Sequence, residues 1–314
     1  MTGQQLKNSI LQMAVQGKLV PQDPNDEPAS VLLERIRKEK EQLIKEGKIK
    51  KEKNPSYIFR GADNLPYEKV GKNEPVCIAD EVPFEIPDSW EWAKIKTISM
   101  PIGHKNNQIQ SKEALPTGKI PVVSQGKDLI DGYCNDVSKK IDVLPLVMFG
   151  DHTRNVKYID FEFVIGADGT KFHKILSCNP EYIYYWMLYA AETLRNRGYA
   201  RHYTLLKECF IPLPPLQEQV RIVSKIKAIL PLVEKYSCEE IKRVSLDSAF
   251  PNLLKKSILQ EAIQGKLVPQ DPGDEPASVL LERIRAEKDQ LIKAGKIKRD
   301  KHESVIFRRD NSHY

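Results

Sequence analysis

The sequence predicts an α+β protein, in which one globular α+β domain is joined to long α-helices that form a coiled-coil-like spacer. Three observations predict this fold class. A helix–turn–helix segment occurs twice, short β-rich runs separated by turn residues occupy the middle of the chain, and a long helical stripe follows a proline-rich turn. These features divide the 314 residues into segments 1–55, 56–80, 81–215 and 216–314.

An internal repeat organises the chain. Residues 6–60, the first cassette, align without a gap with residues 254–308, the second cassette, and 43 of the 55 positions are identical. The core of the repeat reads QGKLVPQDP, followed one residue later by DEPASVLLERIR. Solenoid repeats recur every 20–50 residues, roughly, so the much wider spacing here indicates one cassette used on both sides of a unique segment.

Each cassette is expected to form a helix, a turn and a second helix. In the first cassette, apolar residues at helical spacing mark a short helix, and Gly17 stands where a left-handed cap belongs. Asp26 and Pro28 are suited to begin the second helix, and Gly47 to end it. The second cassette repeats these signals.

Residues 56–80 contain Pro66 and Pro75 and show little periodicity, which predicts a linker. Residues 81–215 show a different pattern, in which short β-rich runs alternate with turns that contain Gly, Asp and Asn. Strands are predicted in residues 120–123, 144–149 and 158–165, and a helix over residues 180–195. This segment is therefore the predicted globular α+β domain.

A long amphipathic helix is predicted to begin after the rigid turn at residues 212–215 and to run to about residue 247. Pro231 is expected to kink it. Such a helix needs a partner along its apolar stripe, and the candidates are the amino-terminal cassette, its own repeat copy or a second chain. The stripe is the predicted dimer or subunit interface. Its members are Leu216, Val220, Val223, Ile226, Leu230 and Val233.

Composition excludes several classes of protein. No apolar run approaches the roughly 20 residues of a membrane span, and the amino terminus is polar, so a cytoplasmic protein without a membrane partner is expected. Five cysteines without a CxxC pair predict neither structural zinc nor a disulfide framework. The net charge of +6 gives only a weak indication of nucleic acid, which a local basic patch would have to bind.

Four sequence blocks, in the correct order, resemble the specificity subunits of type I DNA restriction-modification systems. IPDSWEWAKI at 86–95, FGDHTRNVKYIDFEFVIGADGTK at 149–171 and FIPLPPLQEQVRIVSKI at 210–226 resemble the start, centre and end of a target recognition domain. LKKSILQEAIQGKLVPQDPGDEPASVLLERI at 254–284 resembles the conserved region that follows. The resemblance covers essentially the whole chain.

The resemblance implies a non-catalytic DNA sequence-specificity subunit. In that family, two recognition domains per subunit usually each read half of a split target, and conserved helices hold them apart. The subunit recruits modification subunits, which methylate adenine with S-adenosylmethionine, and restriction subunits. This sequence resembles a half-length form with one recognition domain, so the implied partners are double-stranded DNA, modification and restriction subunits, and a second copy of the chain.

Motifs for catalysis are not found in the sequence. NPEY at 179–182 is one residue short of the Asn/Asp-Pro-Pro-aromatic motif of adenine methyltransferases, and no glycine-rich loop precedes it. No acidic-x-lysine pair, as in metal-dependent nucleases, occurs between residues 80 and 215. The six histidines lack metal-ligand spacing. We therefore predict no catalytic residue, metal or cofactor.

A basic and aromatic cluster is the first candidate for DNA contacts. Arginine can contact guanine edges or phosphate, and tyrosine can stack on bases or donate to phosphate. The alternative is a solvated helix end with a core tyrosine, and the resemblance favours DNA contact for the cluster as a whole. Its members are Arg195, Arg197, Arg201 and Lys207, beside His202 and Tyr203.

A polar turn and two loops supply the remaining candidates. His152, Thr153 and Arg154 follow an apolar strand, where they suit projection into a groove, although a purely structural turn explains them equally well. Loop amides can read adenine in the major groove, yet loops are commonly polar. The loop candidates are Asn107, Gln125 and Lys127.

Two other functions remain open. A helical dimerisation or assembly protein, derived from such a subunit but without DNA readout, would keep the cassettes and lose the DNA contacts. A stand-alone methyltransferase or nuclease is the third possibility, and the missing motifs speak against it.

Overall fold

The structure is a computed structural model that describes residues 1–103, 105–166, 169–195, 198, 200–300, 304, 306, 308–309 and 312–313. It divides into two compact units, residues 1–243 and residues 244–314. The first unit combines helices with several small sheets, and the second is mainly helical. The mixture of helices and sheets, together with one very long helix, confirms the predicted fold class.

The first cassette forms the two predicted helices, α1 (Gly3–Val15) and α2 (Ala29–Lys45). α1 begins with a capping box, in which the Thr2 hydroxyl accepts from the Gln5 amide at 3.2 Å and the Gln5 side chain accepts from the Thr2 amide at 2.8 Å. After α1, Gly17 adopts a φ of +69°, and a Cβ there would lie 2.7 Å from the Pro87 ring. Glycine is therefore required twice over at this turn.

The linker predicted for residues 56–80 is wrong, because most of these residues form a small antiparallel sheet. Its strands are half-exposed, so the residues show no clear alternation of apolar and polar types. Ile58 is buried and packs with Ile78 and Trp92, which attaches the sheet to the domain that follows. The strands are β1 (Ser56–Arg60), β2 (Pro66–Val70) and β3 (Val76–Cys77).

The central domain contains a four-stranded antiparallel sheet in the order β5-β11-β8-β9 and a three-stranded sheet in the order β10-β6-β7. A two-stranded pair of β12 with β4 joins the end of the domain to its start. The predicted strand over 158–165 is two strands, separated by a turn. The elements are β4 (Glu91–Ala93), α3 (Ile95–Ile98), β5 (Ser99–Ile102), β6 (Ile120–Val123), β7 (Gly132–Cys134), β8 (Leu146–Gly150), β9 (Val156–Ile159), β10 (Val164–Ile165), β11 (Thr170–Ile175) and β12 (Ile211–Leu213).

Two helices complete the domain, α4 (Pro180–Thr193) and the short α5 (Tyr203–Leu206). The Asn179 side chain caps α4 by accepting from the amide of Glu181 at 2.9 Å. Tyr182 and Trp186 are almost fully buried where α4 meets the first cassette and the sheet. The predicted helix over 180–195 is thus confirmed.

The long helix, α6 (Leu216–Ile263), has 48 residues and extends beyond the predicted end near residue 247. It continues without a break into the first helix of the second cassette, although Pro251 lies between the predicted end and that cassette. The second helix of that cassette is α7 (Ala277–Lys293).

The predicted interface along α6 is wrong for most of its members. Val223, Ile226 and Val233 are buried in the core of their own unit, together with residues of α1, α2 and α4, and Leu216 and Leu230 pack partly buried against the same core. Only Val220, at 45% exposure, faces solvent. The stripe does need a partner, as expected from its apolar character, and of the three candidates the chain's own first cassette supplies it.

The second cassette is exposed where the first is buried. Leu32 has no exposed surface, whereas its repeat equivalent Leu280 is 49% exposed. The same contrast holds for Ile36 and Ile284. The second unit therefore carries an apolar face that its own residues leave in solvent.

Candidate nucleic-acid interface

The site begins with a tight turn between β8 and β9, residues 150–155. The Gly150 amide donates to the Asn155 carbonyl at 2.8 Å, and the Arg154 amide donates to the Gly150 carbonyl at 2.8 Å. Arg154 has a φ of +59°, a left-handed conformation that few residues other than glycine and asparagine adopt readily. The turn is thus closed across its base, and it holds the predicted residues His152, Thr153 and Arg154.

The loop after β6 is bonded to this turn through Gln125. The Gln125 side-chain oxygen accepts from the His152 amide at 3.1 Å. The Gln125 carbonyl accepts from the Thr153 hydroxyl at 2.7 Å and from the Asn155 side-chain amide at 2.9 Å. Gln125 therefore fixes the loop on the turn, and Lys127, two residues farther on, is exposed beside it.

An ion pair between the buried Lys157 and the exposed Asp131 supports the same loop. The Lys157 ammonium on β9 lies 3.3 Å from the Asp131 carboxylate, and the Lys157 side chain is 4% exposed. Burial lowers the pKa of Lys157. Burial opposes ionisation of Asp131 as well, but hydrogen bonds from Ser124 and the charge of Lys157 leave the pKa of Asp131 below its ordinary value. These contacts close loop 124–131 on itself.

Asp151, the first residue of the turn after β8, connects two further segments. Its amide donates to the Gly169 carbonyl at 2.7 Å, just before β11. Its carbonyl accepts from the His202 amide at 2.8 Å, and its carboxylate accepts from the Tyr203 amide at 2.9 Å. The start of α5 is thereby held against the turn.

Arg154 reaches the end of α4. One guanidinium nitrogen donates to the Ala191 carbonyl at 3.1 Å and to the Leu194 carbonyl at 3.2 Å. Carbonyls at a helix C-terminus have no partner within the helix, and a cation there also interacts favourably with the helix dipole. Arg195, which directly follows Leu194, is exposed.

The structure brings most of the predicted site residues together around this turn. Lys127, Thr153, Arg195 and Arg201 are exposed on segments that the turn connects. Arg197 lies outside the described residues. The remaining members of the group are Gln125, His152, Arg154, His202 and Tyr203.

Three predicted contacts are placed differently. The prediction of DNA contact is wrong for the His202 ring, which is 1% exposed, with one nitrogen 3.2 Å from the Asp151 carbonyl. Tyr203 is half-buried and stacks on His173 with ring centroids 5.6 Å apart, and burial raises the pKa of its hydroxyl to about 12. Asn107 donates its side-chain amide to the Lys139 carbonyl at 3.3 Å, which binds it to a different loop.

Asp151 and Asn155 were missed by the sequence reasoning, although both flank the predicted His-Thr-Arg run. An Asp directly after a strand-ending glycine, with an Asn four residues later, is a turn signal in itself. Their role in connecting other segments has no signal in the sequence, because Gln125 and His202 are distant along the chain.

Over the described part of the chain, His, Cys, Asp and Glu side chains form no group of three or more that could hold a metal ion. Among the described helices none has the length and apolar character of a membrane span.

Comparisons with known proteins agree on one family. The model of the type I restriction modification DNA specificity domain matches residues 87–261. The EcoAI and EcoEI specificity subunits of type I restriction enzymes from Escherichia coli are each 31% identical to this chain, over 362 and 357 residues. Each alignment covers 94% of this chain and 57% of the relative, so the chain spans little more than half the length of either.

Solved structures of specificity subunits are more distant. The HsdS subunit from Thermoanaerobacter tengcongensis is 20% identical, with a TM-score of 0.40, and the alignment covers 59% of this chain and 47% of that one. The specificity subunit from M. genitalium is 14% identical, with a TM-score of 0.35, over 86% of this chain and 57% of that one. Since the family model alone matches more than half of the sequence, this chain belongs to the type I restriction-modification DNA specificity family.

Proposed function

We propose that this chain is a non-catalytic DNA-specificity subunit of a type I restriction-modification enzyme and that its central domain reads one half-site. The observation that carries the proposal is the convergence of four exposed polar or basic residues on one turn. Lys127, Thr153, Arg195 and Arg201 come from separate segments, and hydrogen bonds connect those segments to residues 150–155.

The chemistry of this cluster suits a DNA duplex. Cations that contact phosphates position a protein on DNA, and side chains that reach base edges supply sequence discrimination. Lys127 is a point charge suited to phosphate, whereas Arg195 and Arg201 can also bind guanine edges through two hydrogen bonds. Arg197 and His152 remain predicted contacts of the same surface.

Methyl transfer and DNA cleavage are assigned to partner subunits. The relatives that match this chain are named as specificity subunits of restriction enzymes. Modification subunits that use S-adenosylmethionine, and restriction subunits, would bind alongside the helices. We expect no methyl incorporation by the pure chain, and incorporation in the absence of any modification subunit would refute the non-catalytic assignment.

Self-association is assigned to the second cassette. The stripe on α6 is covered by the first cassette, so it is no longer a free interface. The exposed apolar face of the second cassette, which includes Leu280 and Ile284, is suited to pack against a second copy across a two-fold axis. Two identical recognition domains related in this way would recognise an interrupted palindrome.

The methylated motif in cells tests the proposal. The chain is expressed with its modification subunits in cells that lack other specificity subunits, and methylated adenines are mapped across the genome. We expect an interrupted palindrome with identical half-sites. An asymmetric motif would refute the symmetric dimer, and the absence of any chain-dependent motif would refute DNA specificity itself.

The second candidate function is an assembly protein without DNA readout, which the exposed face of the second cassette also fits. The two differ in the effect of Arg201→Ala. For a DNA reader, this substitution lowers affinity for DNA and leaves self-association unchanged. For an assembly protein it alters neither.

A further inference from the structure

Two exposed arginines of the proposed DNA surface are anchored by the same short turn. Arg195 follows the end of α4, and Arg201 precedes the start of α5. The residues that anchor the two arginines both lie in the four-residue segment 151–154.

The first anchor is Arg154. Its guanidinium donates to the carbonyl of Leu194, the residue directly before Arg195, at 3.2 Å, and to the Ala191 carbonyl at 3.1 Å. The Arg154 guanidinium is half-buried against α4, so its hydrogen-bonding direction is set by the helix end. The backbone position of Arg195 is thereby fixed relative to the turn.

The second anchor is Asp151. Its carbonyl accepts from the amide of His202, the residue directly after Arg201, and its carboxylate accepts from the Tyr203 amide. The Thr204 hydroxyl donates to the Arg201 carbonyl at 3.0 Å, which adds a local restraint. Asp151 is buried, so water competes weakly for these bonds.

The turn that provides both anchors is itself rigid. It is closed by the hydrogen bonds of Gly150 and attached to loop 124–131 through Gln125. Three segments that carry exposed candidate contacts are thus all hydrogen-bonded to this one turn. Affinity and discrimination both improve when contact groups are held in place before binding, because less conformational entropy is lost.

We propose that Asp151 and Arg154 are positioning residues that hold Arg201 and Arg195 in the geometry for half-site discrimination. The inference rests on the proposed DNA-reading function. It assigns Arg154 to the helix end rather than to DNA, and it gives Asp151 a role although its side chain is buried.

The variants separate positioning from direct contact. Arg154→Asn removes the guanidinium and keeps a residue that tolerates the left-handed backbone. Asp151→Ala removes the acceptor for Tyr203, whereas Asp151→Asn keeps an oxygen in the same place and serves as the conservative match. Arg35→Asn, at an exposed arginine of α2 paired with Glu27, controls for loss of one positive charge.

Trypsin provides a readout that does not depend on DNA. Because trypsin needs an unfolded backbone at its cleavage site, the rates of cleavage after Arg195 and Arg201 measure how firmly each anchor holds. We expect Arg154→Asn to accelerate cleavage after Arg195, and Asp151→Ala to accelerate cleavage after Arg201, each by at least about tenfold. Asp151→Asn and Arg35→Asn should stay within about twofold of the wild type. Far-ultraviolet circular dichroism of every variant verifies that the domain remains folded.

DNA binding is measured on the full chain with its modification subunits, using a target duplex and a duplex with one altered half-site. Arg154→Asn and Asp151→Ala should lower the ratio of the two affinities by about tenfold, which is about 1.4 kcal/mol, with little change in the salt dependence. Arg201→Ala should instead reduce the salt slope by about one if Arg201 contacts phosphate.

The outcomes are distinguishable. If Arg154→Asn reduces the salt slope by about one and leaves trypsin cleavage unchanged, then Arg154 contacts phosphate itself and the inference is overturned. Specific binding by the wild type with full discrimination in both anchor variants also overturns it. A wild type without sequence-dependent binding refutes the proposed function, and the positioning role for DNA with it, whatever trypsin shows about the anchors.

Discussion

Leu32 and Leu280 offer a matched test of how the two cassettes are packed. They occupy the same position of the repeat, within the identical run DEPASVLLERIR. Leu32 is fully buried in the core of the first unit, and Leu280 is 49% exposed in the second. Local sequence and helix position are therefore the same, and only the packing differs. We compare Leu32→Ala with Leu280→Ala.

The magnitude follows from burial. Replacing a fully buried leucine with alanine removes transferred apolar surface and leaves a cavity, which lowers the free energy of unfolding by about 3 kcal/mol. For a unit of 243 residues this corresponds to a fall in Tm of about 6–12 °C. Leu280 already contacts solvent, so its truncation should change the free energy of unfolding by less than about 1 kcal/mol.

Tryptophan fluorescence during urea unfolding is the appropriate assay, because Trp90, Trp92 and Trp186 all lie in the first unit. Submicromolar protein limits the contribution of self-association, in which Leu280 is proposed to take part. A loss for Leu32→Ala below about 1 kcal/mol, or equal losses for the two variants, would refute the packing described for the first cassette.

Three further results are expected. Burial lowers the pKa of His173 to about 4, so the unfolded state binds more protons than the folded state between pH 6.5 and 4. The free energy of unfolding should therefore fall by about 3 kcal/mol as the pH drops through that window. Subtracting the pH profile of His173→Phe from that of the wild type isolates this contribution, and identical profiles would contradict it. Asp131→Asn removes the partner of the buried Lys157 ammonium and should cost about 1 kcal/mol in chemical denaturation, because solvent at the exposed Asp131 screens the pair. Lys157→Met combined with Asp131→Asn should recover part of that loss, and an equal or larger loss in the double variant would contradict the pairing. Leu280→Asp with Ile284→Asp should weaken self-association in sedimentation velocity and leave the fluorescence transition unchanged; an unaltered dissociation constant would exclude this face as the interface.

Local patterns predicted the elements that depend on local signals. The strand over residues 120–123 and the helix that begins at Pro180 match the structure, because alternation, capping residues and helical spacing are encoded within a few neighbouring residues. The linker prediction for residues 56–80 was wrong because this segment lacks such a local pattern. Their strands are half-exposed, and Ile58 is the one fully buried residue among the ten of β1 and β2.

The periodic stripe on α6 shows the limit of periodicity as a guide to partners. Its spacing correctly predicted that Val223 and Ile226 are buried. Periodicity carries no information about which surface covers a stripe, so an intermolecular interface was as compatible with the pattern as the intramolecular one. Only the three-dimensional packing of α1 and α2 decides between them.

The candidate site was predicted in composition but not in arrangement. Polar and basic types marked Gln125, Thr153 and Arg195 as candidates, and the structure places all three around one turn. A single sequence does not show in which direction a side chain points, and the sequence therefore predicts a DNA contact for His202, whose ring faces the interior. Asp151 was overlooked for the same reason, since its bonds are to backbone groups about 20 and 50 positions away.

The groups that hold the first cassette constrain how two chains can associate. Glu218 accepts from the Trp90 indole at 2.9 Å and from the Gln22 side chain at 2.6 Å, while Arg221 pairs with Asp26. Burial raises the pKa of Glu218, so its bonds to these donors are needed to keep the charge in place. The first cassette therefore occupies a surface that satisfies both its apolar and its polar groups.

The second cassette keeps the residues that fit this surface, with Gln270 in place of Gln22 and Asp274 in place of Asp26. Each chain nevertheless has two cassettes and only one such surface among its described residues. If second cassettes displaced first cassettes in a pair of chains, two cassettes would be docked and two exposed, as before the exchange. Exchange thus buries no additional apolar area and gives no driving force for association. A stable dimer must instead cover the second cassettes with surface that the isolated chain leaves exposed, which is why the face containing Leu280 and Ile284 is the one to test.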